Sequence, residues 1–204
     1  TLFSKETEFY ETEAFLFCSL DISGIQKFIY TIASKNALRT LRARSFYLEI
    51  MMEHIIDTLL ERLELSRANL IYSGGGHCYL LLANTQKTRE VLNTLQKELQ
   101  SWFLKYFRTE LFVAFGYSVC SGNTFRNVPE GSYANMFRQA SAGISKAKLH
   151  RYTAEEIIAL NQYRADDYTR ECKVCKRIGQ VDEKGVCPLC RKIEALSKNV
   201  LYDT

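Results

Sequence analysis

Ala14-Phe15-Leu16-Phe17-Cys18-Ser19-Leu20 runs directly into Asp21-Ile22-Ser23-Gly24. The first seven residues are apolar and rich in aromatics, which predicts a buried strand, and the four that follow predict a turn. Ile25, Phe28, Ile29 and Ile32 then recur at helical spacing. The stretch reads as strand, tight turn, helix, with Asp21 at the strand's end. A carboxylate placed there can hold Mg²⁺, and the first backbone N–H groups of a helix can receive phosphate oxygens. Ile22, Ser23 and Gly24 complete this candidate nucleotide-binding turn. The competing reading makes Asp21 a simple helix cap.

Working outward, Leu38, Leu41, Ser45, Leu48, Met52, Ile55, Leu59 and Leu63 step by three or four residues and predict a long helix from about 36 to 63. Its start is basic, with Lys35, Arg39, Arg42 and Arg44 ahead of the first acid, Glu49. Those cations can meet RNA, phosphate or only water. Leu70-Ile71-Tyr72 and Cys78 to Leu82 flank Ser73-Gly74-Gly75-Gly76-His77, the pattern of a β-hairpin with a glycine tip. Val91 to Tyr106 predicts a helix, Leu111 to Cys120 a strand, and Tyr133, Phe137 and Ile144 a helix ending near Arg151. Residues 149–164 are amphipathic and predict a connector, while 1–12 are polar. The order predicts an α+β fold, an antiparallel or mixed sheet with helices on one face.

Of 204 residues, 47% are hydrophobic and 25% charged, which excludes a disordered tail and allows one sizeable domain plus a small extra. The formal charge of +4 is too mild to demand nucleic acid or anionic lipid. No apolar run reaches the ~18 residues that a membrane span needs. The first residues show no basic-then-apolar signal pattern, so the expectation is a piece of a cytoplasmic protein cut from a longer chain.

Seven cysteines in such a chain point away from a disulfide framework. Cys172 and Cys175 form one C-x-x-C knuckle and Cys187 and Cys190 another. Four thiolates close a tetrahedral zinc site with no open position, so the expected zinc is structural. It would brace a segment too short to bury its own core. The composition also shifts after about Arg164, so a boundary is expected there, with one domain over 1–164 and a zinc-binding module over 165–204. Cys18, Cys78 and Cys120 lie in apolar strand runs and read as small buried hydrophobes.

DISGIQKFIY (Asp21 to Tyr30) followed by YSGGGHCYLLL (Tyr72 to Leu82) resembles the large signature subunit of type III CRISPR effector complexes. More distantly, the arrangement looks like the palm of GGDEF-type diguanylate cyclases and class III nucleotide cyclases. The resemblance covers most of residues 14–151 and then the cysteine segment. It implies a ferredoxin-like, cyclase-type palm followed by a zinc module. It also implies a longer protein with an HD nuclease domain, this first palm, a second palm and a helical C-terminal domain. In that family, binding of target RNA activates conversion of ATP to cyclic oligoadenylates between the two palms, as part of antiviral defence.

This sequence departs from the catalytic pattern. Where a GGDEF hairpin carries its metal-binding carboxylate, this one reads Gly74-Gly75-Gly76-His77-Cys78. The resemblance therefore implies ATP binding with no catalytic residue in this chain. Asp21 would take Mg²⁺, Ser23 and Gly24 phosphate, and Ser73, Gly74, Gly75, Gly76 and His77 the nucleoside. Lys148 falls where GGDEF proteins have a phosphate-binding lysine. No acid occurs from Gly131 to Ala154, while Arg138, Lys146, Lys148 and Arg151 do. The implied partners are ATP, the second palm of the same full-length chain, other effector subunits, and guide and target RNA, with no membrane. The alternatives are a non-enzymatic scaffold for subunit or RNA contacts and a stand-alone cyclase relative.

Overall fold

In a computed structural model of the chain, residues 6–31, 37–162 and 170–201 are described. The elements are α1 (Glu6–Glu11), β1 (Phe15–Ser23), α2 (Ile25–Tyr30), α3 (Ala37–Arg62), β2 (Leu70–Gly74), β3 (His77–Ala83), α4 (Gln86–Phe107), β4 (Phe112–Cys120), α5 (Gly122–Phe125), α6 (Ser132–Leu149), α7 (Ala154–Gln162) and α8 (Pro188–Leu201). The strands form one four-stranded sheet in the order β2-β3-β1-β4, antiparallel throughout. With a helical crossover after β1 and another after β3, this is the split βαβ topology of the ferredoxin-like fold. The chain divides into two compact units. One takes its residues from Thr1–Ser23, His54–Trp102 and Phe112–Arg151, the other from Gly24–Glu53, Phe103–Leu111 and Tyr152–Thr204.

The sheet lies in the first unit. Phe17 of β1 packs with Cys120, Met136 and Ala140, and Phe112 and Ala114 of β4 pack with Ile144. Helix α6 thus covers the face carrying Phe17, Ser19 and Asp21. Its backbone comes unusually close: a Cβ on Gly116 would stand 2.0 Å from the Ala140 carbonyl oxygen. Only glycine at that position lets the helix lie on the strand.

The alternate residues Leu16, Cys18, Leu20, Cys78, Leu80 and Leu82 are also buried. Ile55, Ile56 and Leu59 of α3 and Leu92 and Leu95 of α4 supply further buried apolar surface in the same unit. Burial on both faces explains why β1 reads as a nearly continuous apolar run.

Two local expectations change. Strand β1 does not stop at Leu20 but continues through Ser23, because Asp21, Ile22 and Ser23 pair with Ala114, Val113 and Phe112. The polar approach to it contains a short helix, α1.

In the second unit, Phe28 of α2 meets the edge of Phe107, with ring centroids 5.6 Å apart, and Phe103 and Tyr47 join the same aromatic cluster. The cysteine segment and α8 belong to this unit. The expected boundary at 164/165 lies outside the described residues. Among the described residues, no helix is long and apolar enough to cross a membrane.

Candidate functional site

Antiparallel pairing places Asp21 opposite His77 on β3 and opposite Ala114 on β4. Its side chain points to the α6 face, where the last turn of α6 presents Lys148. Lys148 Nζ stands 2.6 Å from Asp21 Oδ2, and Ser23 Oγ donates to the same oxygen at 3.2 Å. The other oxygen, Oδ1, is 3.3 Å from His77 Nδ1. The His77 hydrogen bond and the Lys148 ammonium hold the Asp21 carboxyl down to about 2, against the burial that pushes it up. A carboxylate only accepts, so Nδ1 carries the proton of this contact. His77 Nε2 is then engaged by Ser19 Oγ at 3.0 Å, and the ring rests edge-on against Tyr79 at 4.7 Å. The result is a Ser19–His77–Asp21–Lys148 chain.

The hairpin beside it is tight. Gly74 pairs with His77, and the two residues between them, Gly75 and Gly76, have φ of +61° and +81°. That is the left-handed pair a two-residue type I′ connection requires, so the turn itself accounts for both glycines. A Cβ on Gly75 would meet nothing within 4 Å, whereas one on Gly74 would meet the Tyr72 hydroxyl. Ile22 enters through its backbone, its N–H donating to the Gly76 carbonyl at 2.8 Å, while its side chain is buried.

The four predicted metal ligands converge in the second unit. The Sγ atoms of Cys172, Cys175, Cys187 and Cys190 all lie within 4.8 Å of one another, and among the described residues this is the one such group of three or more metal-ligating side chains. Cys175 and Cys187 Sγ are 3.7 Å apart, and the Cys187 N–H donates to Cys172 Sγ at 3.3 Å. Lys176, at φ +63°, and Gly185, at φ +77°, shape the knuckles, and Pro188 opens α8 so that Cys190 sits in its first turn. Four sulfurs at this separation, with backbone N–H support, fit a tetrahedral thiolate-bound ion such as Zn²⁺.

Residues 14–163 match the family model for the Csm1 subunit domain B. The chain belongs to that family. It is 44% identical over 97% of its length to the CRISPR system single-strand-specific deoxyribonuclease Cas10/Csm1 (subtype III-A) of Enterococcus italicus. That match covers 26% of the relative, so the chain spans about a quarter of the length of the curated relatives it resembles. Among solved structures, a Csm1–Csm4 cassette in complex with cA3 is similar at a TM-score of 0.67 and 30% identity, over 78% of this chain and 22% of that one. The cassette in complex with one ATP is similar at 0.65 and 31%, over 76% and 21%. The likeness to the large subunit of type III CRISPR complexes, first carried by two short motifs, thus extends over most of the chain.

Within this domain B, Asp21, Ser23, His77 and Lys148 come together as one cluster. Gly24 belongs to the second unit, where it is the N-cap of α2 with φ +91°, and a Cβ there would stand 1.9 Å from the Glu110 carbonyl oxygen. Packing against Glu110 therefore explains this glycine. It also removes the cap reading of Asp21, which lies inside β1. Ser19 was missed from sequence. The available signal was parity: it lies two residues before Asp21 and so shares its face of the strand. Arg138 and Lys146 are exposed, and Arg151 lies over the Phe112 ring at 5.3 Å. Arg44, one of the basic residues at the start of α3, is buried and donates to backbone carbonyls.

Proposed function

We propose that this domain B is the ATP-binding, non-catalytic palm half of a cyclic-oligoadenylate synthase within an RNA-guided type III CRISPR complex. The observation that carries the reading is the Asp21–Lys148 pair beside a hairpin with glycine and histidine where a catalytic palm has carboxylates. An in-line displacement at phosphorus uses two metal ions held by several carboxylates, and a single Asp21 does not supply them. Lys148 instead offers a pre-oriented ammonium that a polyphosphate can take over from Asp21. Ser23 and Gly24 then flank the phosphates, Ser73 to His77 line the nucleoside, and Mg²⁺ arrives with the ATP phosphates. Chemistry falls to a second palm.

The solved relatives described with ATP, with cA3 and with Csm4 support ATP as ligand and a Csm4-like subunit as partner. Zn²⁺ on the four cysteines serves as a structural brace. The full-length protein, its nuclease activity and its contacts with guide and target RNA follow from the same family reading.

The test is calorimetric titration of the full-length protein with ATP·Mg²⁺. Lys148→Ala should weaken binding about tenfold to a hundredfold, the worth of a charge-assisted hydrogen bond to phosphate. Unchanged affinity overturns the assignment.

A second reading, a scaffold that binds no nucleotide, is favoured by one feature. Every oxygen of Asp21 and both ring nitrogens of His77 already have partners within the protein. It predicts no heat of ATP binding at all, with docking to partner subunits retained.

A further inference from the structure

Helix α2 is gripped at both ends, and each grip leads to the cysteine cluster. At its start, Gly24 lies directly against the backbone of Glu110. The Glu110 carboxylate takes two hydrogen bonds from Arg177, each 2.6 Å, and Arg177 also donates to the Tyr106 carbonyl at 3.0 Å. Arg177 closes the first knuckle, because its carbonyl accepts from the Cys172 N–H at 2.8 Å.

At the other end of α2, Arg44 Nη1 donates to the carbonyls of Phe28 and Thr31. Its Nη2 lies 3.6 Å from Cys190 Sγ, and its guanidinium covers the Phe28 ring at 5.0 Å.

Arg44 is 2% exposed. A guanidinium keeps its charge in a protein, so a buried one needs an anion. Among the described residues, the side-chain hydrogen bonds of Arg44 reach two carbonyls and one cysteine sulfur, and no carboxylate. A metal-bound cysteine sulfur would supply the negative charge that the described hydrogen-bond partners of Arg44 otherwise lack.

We propose that Arg44 is a positioning residue through which the metal cluster fixes α2, with the Arg177–Glu110 pair holding the opposite end. The inference rests on the reading of the four cysteines as a metal site. It makes the cluster more than a clasp on its own segment. Loading the metal sets the helix that follows the Asp-Ile-Ser-Gly stretch.

The experiment is hydrogen–deuterium exchange on the full-length protein, with zinc content measured on the same samples. The informative amides are those of Phe28, bonded to the Gly24 carbonyl, and Thr31, bonded to the Lys27 carbonyl. Chelation should speed their exchange at least about tenfold while β1 and β3 stay protected. Arg44→Met should do the same with its zinc retained, and chelation should then add little. Arg44→Lys keeps the charge but lacks the planar fork that spans the two carbonyls and the sulfur, so it should fall between, and it stands in if the methionine variant does not fold. Wild-type protein without bound zinc overturns the metal reading and this inference together. Zinc bound, with α2 exchange unchanged in the variant that folds, overturns this inference alone.

Discussion

Lys148 Nζ and Asp21 Oδ2, 2.6 Å apart, tie the last turn of α6 to the middle strand pair of the sheet. Both side chains are partly buried, so the pair is worth more than a surface salt bridge and less than its full Coulomb energy. The Asp21 carboxyl sits at about 2 in the folded protein, below its ordinary 3.8. A depressed carboxyl stabilises the fold above its ordinary value, and that stability is lost as pH falls through the interval between the two. Asp21→Asn should therefore cost about 1–2 kcal/mol at pH 7, after allowance for solvent screening. The deficit should shrink from about pH 5 downward and vanish only below about pH 2. Urea denaturation across that range reads it, and equal stability at pH 7 would show that the pair contributes nothing.

Two glycines separate backbone conformation from crowding. Gly24 and Gly75 both have positive φ, but a Cβ on Gly24 would collide with the Glu110 carbonyl, while one on Gly75 would point into open space. Gly75→Ala should cost only about 1 kcal/mol, the left-handed penalty. Gly24→Ala should cost about 3 kcal/mol or more, since steric overlap adds to that penalty. Thermal unfolding of the two variants tests the contrast, and similar losses would contradict it.

Gly116 sets the distance of α6 from β4, and α6 carries Lys148. Gly116→Ala must push the Ala140 and Ile144 backbone away. The expected result is a stability loss of about 2–3 kcal/mol. The Asp21 carboxyl should also titrate higher, followed by its side-chain carbon shift. An unmoved Asp21 titration would mean that Lys148 reaches its partner whatever the helix position.

The sheet was legible because its strands are local apolar runs, and the hairpin because its glycines mark the tip. What stayed hidden depended on partners far along the chain. The last three residues of β1 are strand only because β4 pairs with them. Gly24 suggested a ligand from sequence, but the residue that demands it, Glu110, lies 86 positions away. The burial of Arg44 runs against its type, since a charged residue on a helix reads as solvated, and its sulfur partner is 146 residues on. The Asp21, His77 and Lys148 cluster was assembled from motifs, yet the Ser19 hydroxyl that completes it carries no motif. The cysteine spacing, by contrast, encodes its own geometry, because two C-x-x-C knuckles brought together leave the four sulfurs little freedom.

That geometry divides the seven cysteines, and thiol labelling can count the division. Cys18, Cys78 and Cys120 are buried in the sheet, where burial pushes the Cys18 thiol far up and Cys120 up to about 11. Such thiols do not react while the fold stands. On the metal reading the other four are protected by coordination instead, since a bound thiolate is shielded from alkylation. In the zinc-loaded protein, iodoacetamide should label none of the seven rapidly. Chelation should release four to labelling, and denaturation the remaining three. Cys187→Ser should abolish stoichiometric zinc, whereas Cys78→Ser should keep it and lose about 1–3 kcal/mol by burying a hydroxyl among apolar neighbours. Because ligands must shed their protons to bind, zinc retention should weaken as pH falls. If chelation releases no new thiols, the cluster holds no metal, and its four sulfurs are kept together by the fold alone.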